Sequence, residues 1–433
     1  MKKTGERYTT ARANLLQKHD HRPAVTANQY PGLIDGYTSF GGVQGDTAVL
    51  HNVFQHAGIV HPKTNQPYSE AIINGLCGGL GFMYAVFEYK GYAPMLTITM
   101  RSKTMPHTFI AEAFRRVGVS ANVNQTSSAK VAAKTLDEAL AADKPAICIV
   151  DSAMIPYYGI PEQLAGMGPQ HVAVVGQSDG HAWLDDRAVR PTRIGLDQLT
   201  KARGAYRAAK HSLITLGEPL AKHDWQAALR ECINDTIVAL AEGGVGVPDS
   251  FRVNCGFSGM EKWRKLLTDP KDKKGWRKVF ADGGNALAGL RRAYDCIQYD
   301  YTAPAGGRHF YAEFLDEAKT LLNAPALGTA ADTFRKAGDL WADLAQTIAD
   351  TDDDAVRKAC ELSDRRAELI DTEGSDAADE LAKLHKQRMD LDKSCRLTAD
   401  QAIELYDRIA EKLGPIIEIE KHSVEQLQSA IAK

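Results

Sequence analysis

The sequence has no apolar run of the ~18 residues a membrane-spanning helix needs, and no long Lys/Arg run. The first absence points away from a membrane protein. The second, with a formal net charge of -3, points away from nucleic-acid binding, which requires a basic face. No CxxC pair occurs, and the seven cysteines (Cys77, Cys148, Cys232, Cys255, Cys296, Cys360, Cys395) are odd in number and scattered. A disulfide framework and a cysteine zinc site are both unsupported, and reduced, mostly buried thiols are expected. No HExxH appears, and His51 and His56 are five apart, which is wrong for one helix face. No metal is therefore expected. The N-terminal "MKKTGERYTTARANLLQKHDHRP" is basic but lacks the apolar core of a signal peptide, so a cytoplasmic location is expected.

What is present is an ordinary globular composition, 44% hydrophobic and 25% charged over 433 residues. That length suits two to three domains of roughly 150 residues. Residues 1–38 read as a polar N-terminal arm. From 39 to 217 helices mix with β-rich runs. "HNVFQHAG" has helical spacing, "MLTITM" alternates like a strand, and "TFIAEAFRRVGV" is a helix ending at Gly118. "LDEALAADKPAICIVDSAM" reads as helix, turn and buried strand. "HVAVVGQSDGHAWLDDR" reads as two strands about Ser178-Asp179-Gly180, and "SLITL" as a closing strand. After 218 helical periodicity takes over, with a helical domain over 218–350 and a helical extension over 351–433 whose tail suits a helical hairpin. The expected class is α+β followed by an all-α part.

Four features could carry chemistry. His171 opens a strand, and the hairpin brings Asp185-Asp186 alongside, so a carboxylate could orient the imidazole as in a nucleophilic triad. A strand-end histidine with a hairpin-capping aspartate would read the same way. The glycine-rich "NGLCGGLGFMY" (Gly75, Gly78, Gly79, Gly81) could let backbone N–H groups reach a ligand. Cys77, Gly78, Gly79, Phe82 and Tyr84 are its substrate-binding candidates. Taken alone, the stretch is better explained as a close-packed turn around a small buried thiol. Asp151, ending a buried strand before Pro156, Tyr157 and Tyr158, could line a cleft with Tyr157 or simply cap a turn. The fourth is "SFGGVQGDTAVLHNVFQHAG", where a glycine-rich turn enters a helix at Asp46-Thr47.

Together the stretches "GDTAVLHNVFQHAG", "YSEAIINGLCGGLGFMYA", "ICIVDSAMIPYYG" and "QHVAVVGQSDGHAWLDDR" resemble the N-terminal domain of the butirosin biosynthesis protein H family. "NCGFSGMEKWRKLL" and "GRHFYAEFLDEAKTLL" resemble the helical domain of unknown function that follows it. The resemblance covers roughly residues 39 to 350 in the right order. It implies a papain-like N-terminal fold and transfer of an acyl group from a carrier protein's phosphopantetheine thioester to an amine, with no cofactor of the protein's own. It implies a catalytic cysteine at a helix start, a histidine on a later strand and an acid on the next. His171 matches the histidine and Asp186 the acid, with Asp185 as its neighbour. The cysteine position falls on Gln44, within Gln44-Gly45-Asp46-Thr47-Ala48. A carboxamide forms no thioester. Three readings follow: direct transfer with His171 as base and Gln44 as oxyanion donor, a displaced thiol from Cys77, or a pseudoenzyme that binds a ligand or partner. Asp46 joins the substrate-binding candidates. An acyl carrier protein and a small amine are the expected partners, "DPKDKKGWRK" (269–278) a candidate basic surface for the carrier, and a homo-oligomer is possible through the helical half.

Overall fold

The structure is a computed structural model and describes residues 29–88, 93–102, 106–160, 162–166 and 168–432. Two helices, α1 (Gly45–His56) and α2 (Glu70–Leu76), precede an antiparallel pair, β1 (Leu80–Phe87) and β2 (Met95–Arg101). Then come α3 (Pro106–Arg116), β3 (Val119–Asn124), α4 (Ala129–Ala141), β4 (Ala146–Asp151), β5 (Pro169–Ser178), β6 (His181–Asp185), β7 (Thr192–Gly195), α5 (Leu196–Ala205) and β8 (Leu213–Pro219). Beyond β8 every longer element is a helix: α6 (Trp225–Ala241), α7 (Gly256–Thr268), α8 (Gly283–Gln298), α9 (Arg308–Leu322), α10 (Ala326–Ala349), α11 (Asp354–Thr372), α12 (Ala378–Ser394) and α13 (Ala399–Ile431). The protein is thus α+β, with an antiparallel sheet region followed by a mostly helical part.

The packing divides into two compact units, each discontinuous in the chain. One gathers the described residues of Met1–Ile73, Met105–Trp225 and Arg365–His385; the other those of Asn74–Thr104, Gln226–Asp364 and Lys386–Lys433. Boundaries drawn from composition are consecutive and do not contain this interleaving. The β1–β2 pair sits with the helical unit, and 365–385 sits with the sheet unit.

The sheet unit is built on six antiparallel strands in the order β3-β8-β4-β5-β6-β7. "SLITL" therefore lies inside the sheet, between β3 and β4, rather than at its edge. The β5–β6 hairpin turns through Asp179 and Gly180, with φ of 48° and 76°, the left-handed conformation that short hairpin turns select. The arm's described end joins this sheet. Leu33 bridges Gly176, and the Trp183 indole donates to the Pro31 carbonyl at 2.8 Å. A Cβ on Gly176 would come within 2.3 Å of the Gly32 oxygen, so this close approach needs glycine. Most of the 1–38 arm lies outside the described residues.

The helical unit packs around aromatic rings. Trp263 stacks with Phe82, Tyr84 and Trp341 at centroid distances of 6.2, 6.2 and 6.4 Å. Beneath them Arg308 and Glu420 form a fully buried ion pair at 2.7 Å, and the Trp341 indole donates to the same carboxylate at 2.6 Å. The long tail forms the expected two helices. Thr398 and Gln401 close a reciprocal capping box at the start of α13, so the turn between the helices is fixed by side-chain chemistry. All seven cysteines are buried thiols, and none is bridged to another. Among the described residues no helix is long and apolar enough to cross a membrane, and no group of three or more His, Cys, Asp or Glu is arranged to hold a metal.

Candidate functional site

The helix α1 begins with an unusual cap. Gln44 takes the N-cap position in an extended conformation, and its own side chain makes no capping bond. Glu70, at the start of α2, does the work instead. Its carboxylate accepts the backbone N–H of Val43 at 2.7 Å and of Gln44 at 3.0 Å, and the Thr47 hydroxyl at 2.9 Å. A helix N-terminus offers unpaired N–H groups and a favourable field for an anion, and here that anion is a side chain of the protein. Gly42 permits the approach, because a Cβ there would lie 2.6 Å from Glu70 Oε2 and 2.4 Å from the Ala48 Cβ. The Gln44 N–H is already committed to Glu70.

Two residues into α1, Asp46 meets the predicted histidine. Asp46 Oδ1 lies 2.9 Å from His171 Nδ1 and also accepts the His171 backbone N–H at 3.3 Å. A carboxylate only accepts, so the pair fixes the Nδ1–H tautomer and leaves Nε2 as the basic nitrogen. The His171 residue is 2% exposed, and Nε2 has no hydrogen-bond partner among the described residues.

The acid assigned to His171 from the sequence is not where that assignment requires. Across the β5–β6 ladder Ala173 faces Asp185. Side chains alternate along a strand, so His171, Ala173 and Asp185 share one face and Asp186 points to the other. The contacts agree. On the α1 face, Asp185 Oδ2 accepts the Tyr37 hydroxyl at 2.6 Å and the Asn52 amide at 3.0 Å. On the opposite face, Asp186 accepts Tyr157 at 2.6 Å and Tyr158 at 3.0 Å, with Tyr157 also 3.1 Å from the Thr192 hydroxyl. Asp186 is therefore a tyrosine-clamped structural acid. Burial, only partly offset by the two tyrosine bonds and Arg187, raises its pKa to about 6. Burial and the Asp186 charge push both tyrosines well above the usual phenol range. Burial, then Asp185, does the same to Tyr37.

Asp151 is fully buried and caps its own turn, with Oδ1 accepting the Ala153 N–H at 3.0 Å and Oδ2 those of Gly166 at 2.8 Å and Gly168 at 3.3 Å. The remaining candidates belong to the helical unit. "NGLCGGLGFMY" is not one loop. Asn74 to Leu76 finish α2, and β1 starts at Leu80. Gly79 has φ 64°, and a Cβ there would sit 2.5 Å from both the Thr236 hydroxyl and the Tyr311 ring. Gly78 has φ 114° and abuts Ser102. Cys77 is fully buried, Phe82 lies in the tryptophan stack, and the Tyr84 hydroxyl accepts the Trp276 indole at 2.9 Å. Each of these five positions has a packing role. Cys77 is buried within the helical unit, whereas His171 belongs to the sheet unit.

Of the predicted residues, Gln44, Asp46 and His171 are thus brought together at the α1 start, and Glu70 is the participant missed by sequence reasoning. In the sequence it stands only inside the stretch "YSEAIINGLCGGLGFMYA", with nothing local to give it a role. This is an α+β domain in which a helix start faces a strand-borne histidine, an arrangement consistent with a papain-like fold.

Residues 44–187 match the family described as butirosin biosynthesis protein H, N-terminal, and residues 195–381 match a domain of unknown function. The chain belongs to this butirosin biosynthesis protein H-like family, with its N-terminal domain followed by the second domain in order. Membership carries a context of secondary-metabolite biosynthesis. No curated protein matches the chain.

Proposed function

We propose that the protein forms an amide by direct acyl transfer, without an acyl-enzyme. The acyl group arrives as a thioester, as on the phosphopantetheine arm of a carrier protein, and the acceptor is a small amine. The amine nitrogen attacks the thioester carbonyl, and His171 Nε2 takes the amine proton. The C–S bond then breaks, and the protonated His171 returns the proton to the departing thiolate. Asp46 holds the imidazole and stabilises its charged form, the part a buried carboxylate plays in acid–base dyads. The Gln44 carboxamide is the donor for the developing oxyanion. The observation that carries this reading is the 2.9 Å Asp46–His171 contact, with Nε2 left as the basic nitrogen. Amide formation from loaded carrier protein, followed by mass spectrometry, should be lost in His171→Gln. Unchanged amide formation in that variant would overturn the reading.

A second reading is a noncatalytic binding or scaffold domain. Two observations favour it: the His171 ring is fully buried, and Glu70 takes up the Val43 and Gln44 N–H groups just ahead of α1. It predicts no amide product with any loaded carrier, together with retained binding of carrier or amine by calorimetry.

A further inference from the structure

Away from the α1 start, the sheet unit carries a second cluster of polar groups that nothing above uses. The short loop after α1 closes on itself through a Val60–Pro67 bridge and the His61 N–H to Gln66 carbonyl bond at 2.8 Å. This loop buries His61, at 4% exposure, with Tyr68 at 5%. The His61 ring meets Tyr68 edge-on at 5.3 Å and Trp225 at 4.8 Å. The Lys63 ammonium sits 5.9 Å over the Trp225 ring.

The hydrogen bonds settle the tautomer. His61 Nδ1 accepts the Lys63 backbone N–H at 3.2 Å, so the neutral ring carries its proton on Nε2. That Nε2–H has no acceptor among the described residues, and neither has the buried Tyr68 hydroxyl. Two orphaned buried donors on adjacent rings are costly, and such groups call for an explanation. The surroundings are positive. Burial, then Lys63 and His223, holds the His61 pKa below its usual value. His223 commits its Nε2 to the Arg116 carbonyl at 2.9 Å.

We propose that His61, Tyr68, Lys63 and Trp225 form a binding site for a small oxyanion, a phosphate or carboxylate group of a metabolite. One oxygen of the anion accepts from His61 Nε2–H and Tyr68 O–H, the Lys63 ammonium balances its charge, and the half-buried Trp225 ring walls the site. Two donors and a cation fit an acceptor-only ligand. A cationic or purely donating ligand would leave the His61 Nε2–H unpaired.

The test uses the full chain in phosphate-free buffer at constant ionic strength. Inorganic phosphate is titrated in, and acetate in a separate series, while the His61 ring resonances and Trp225 fluorescence are followed. A saturable shift is expected with one of them, phosphate identifying a phosphoryl source and acetate a carboxylate source. Tyr68→Phe, which keeps the ring and removes the donor, should weaken binding about tenfold, and Lys63→Ala should weaken it and flatten its salt dependence. No saturable response to either anion would mean that water alone satisfies the two donors and would overturn the proposal. So would a response that neither variant changes.

Discussion

Replacing Asp186 with Asn tests the assignment of that residue to the far face of the sheet. The wild-type carboxyl has an ordinary value of 3.8 and is raised to about 6 by burial. A carboxyl whose folded pKa is raised binds its proton more tightly in the native state. Its contribution therefore favours folding at low pH, falls as pH rises from the unfolded value through the folded one, and is a constant cost above that. With those two values the change between pH 4.5 and 7.5 is about 2 kcal/mol. Asn cannot ionise, yet its carbonyl can still accept a tyrosine hydroxyl. The stability of Asp186→Asn relative to wild type should thus improve by about 2 kcal/mol from pH 4.5 to pH 7.5, whatever its offset at either pH. Urea unfolding of both proteins at the two pH values measures this difference, and groups common to both cancel. A difference that does not change with pH would refute the clamped, charge-disfavouring environment. If Asp186 oriented His171 instead, the same change would lower amide formation by about 10⁴, the size seen when a triad acid becomes Asn; the facing of the strand predicts no such loss.

Other outcomes follow from the same contacts. Glu70→Ala removes the acceptor for two backbone N–H groups and a hydroxyl at the α1 start, and should cost about 2–4 kcal/mol by chemical denaturation. Glu70→Gln should cost less, because an oxygen acceptor is kept. Asp46→Asn should release the His171 tautomer, visible as a changed pattern of its ring ¹⁵N shifts; an unchanged pattern would show that Asp46 does not set it. Gly79→Ala meets both a positive φ and a 2.5 Å contact, so a loss of about 2–4 kcal/mol is expected from calorimetric melting. Glu420→Gln leaves a buried Arg308 without its counter-charge and should cost about 3–5 kcal/mol, whereas replacing both partners with apolar residues should recover most of it.

Much of the architecture could be read from local pattern. The hairpin at Asp179-Gly180, the buried strand over Ala146–Asp151 and the helical second half all follow from periodicity and turn chemistry, which act over a few residues. His171 lies on β5 and α1 starts directly after Gln44, as the strand and helix patterns around them suggest. "GGLGFMYAVF" misled because its glycines suggested a loop, while its apolar run forms β1. Gly79 answers to Tyr311 and Thr236, more than 150 residues away, which no local rule can see.

The sequence by itself determined which residue types were available: a histidine in place, an amide where a thiol would stand, and carboxylates nearby. Only the tertiary structure decided which carboxylate serves the imidazole. Asp185 and Asp186 are adjacent in the chain, yet a strand's period of two sends them to opposite faces. Asp46 reaches His171 across 125 positions because α1 lies against β5. Glu70 reaches the α1 start only through the turn that brings α2 back to it. Such pairings depend on distance in space, and spacing along the chain carries no record of it.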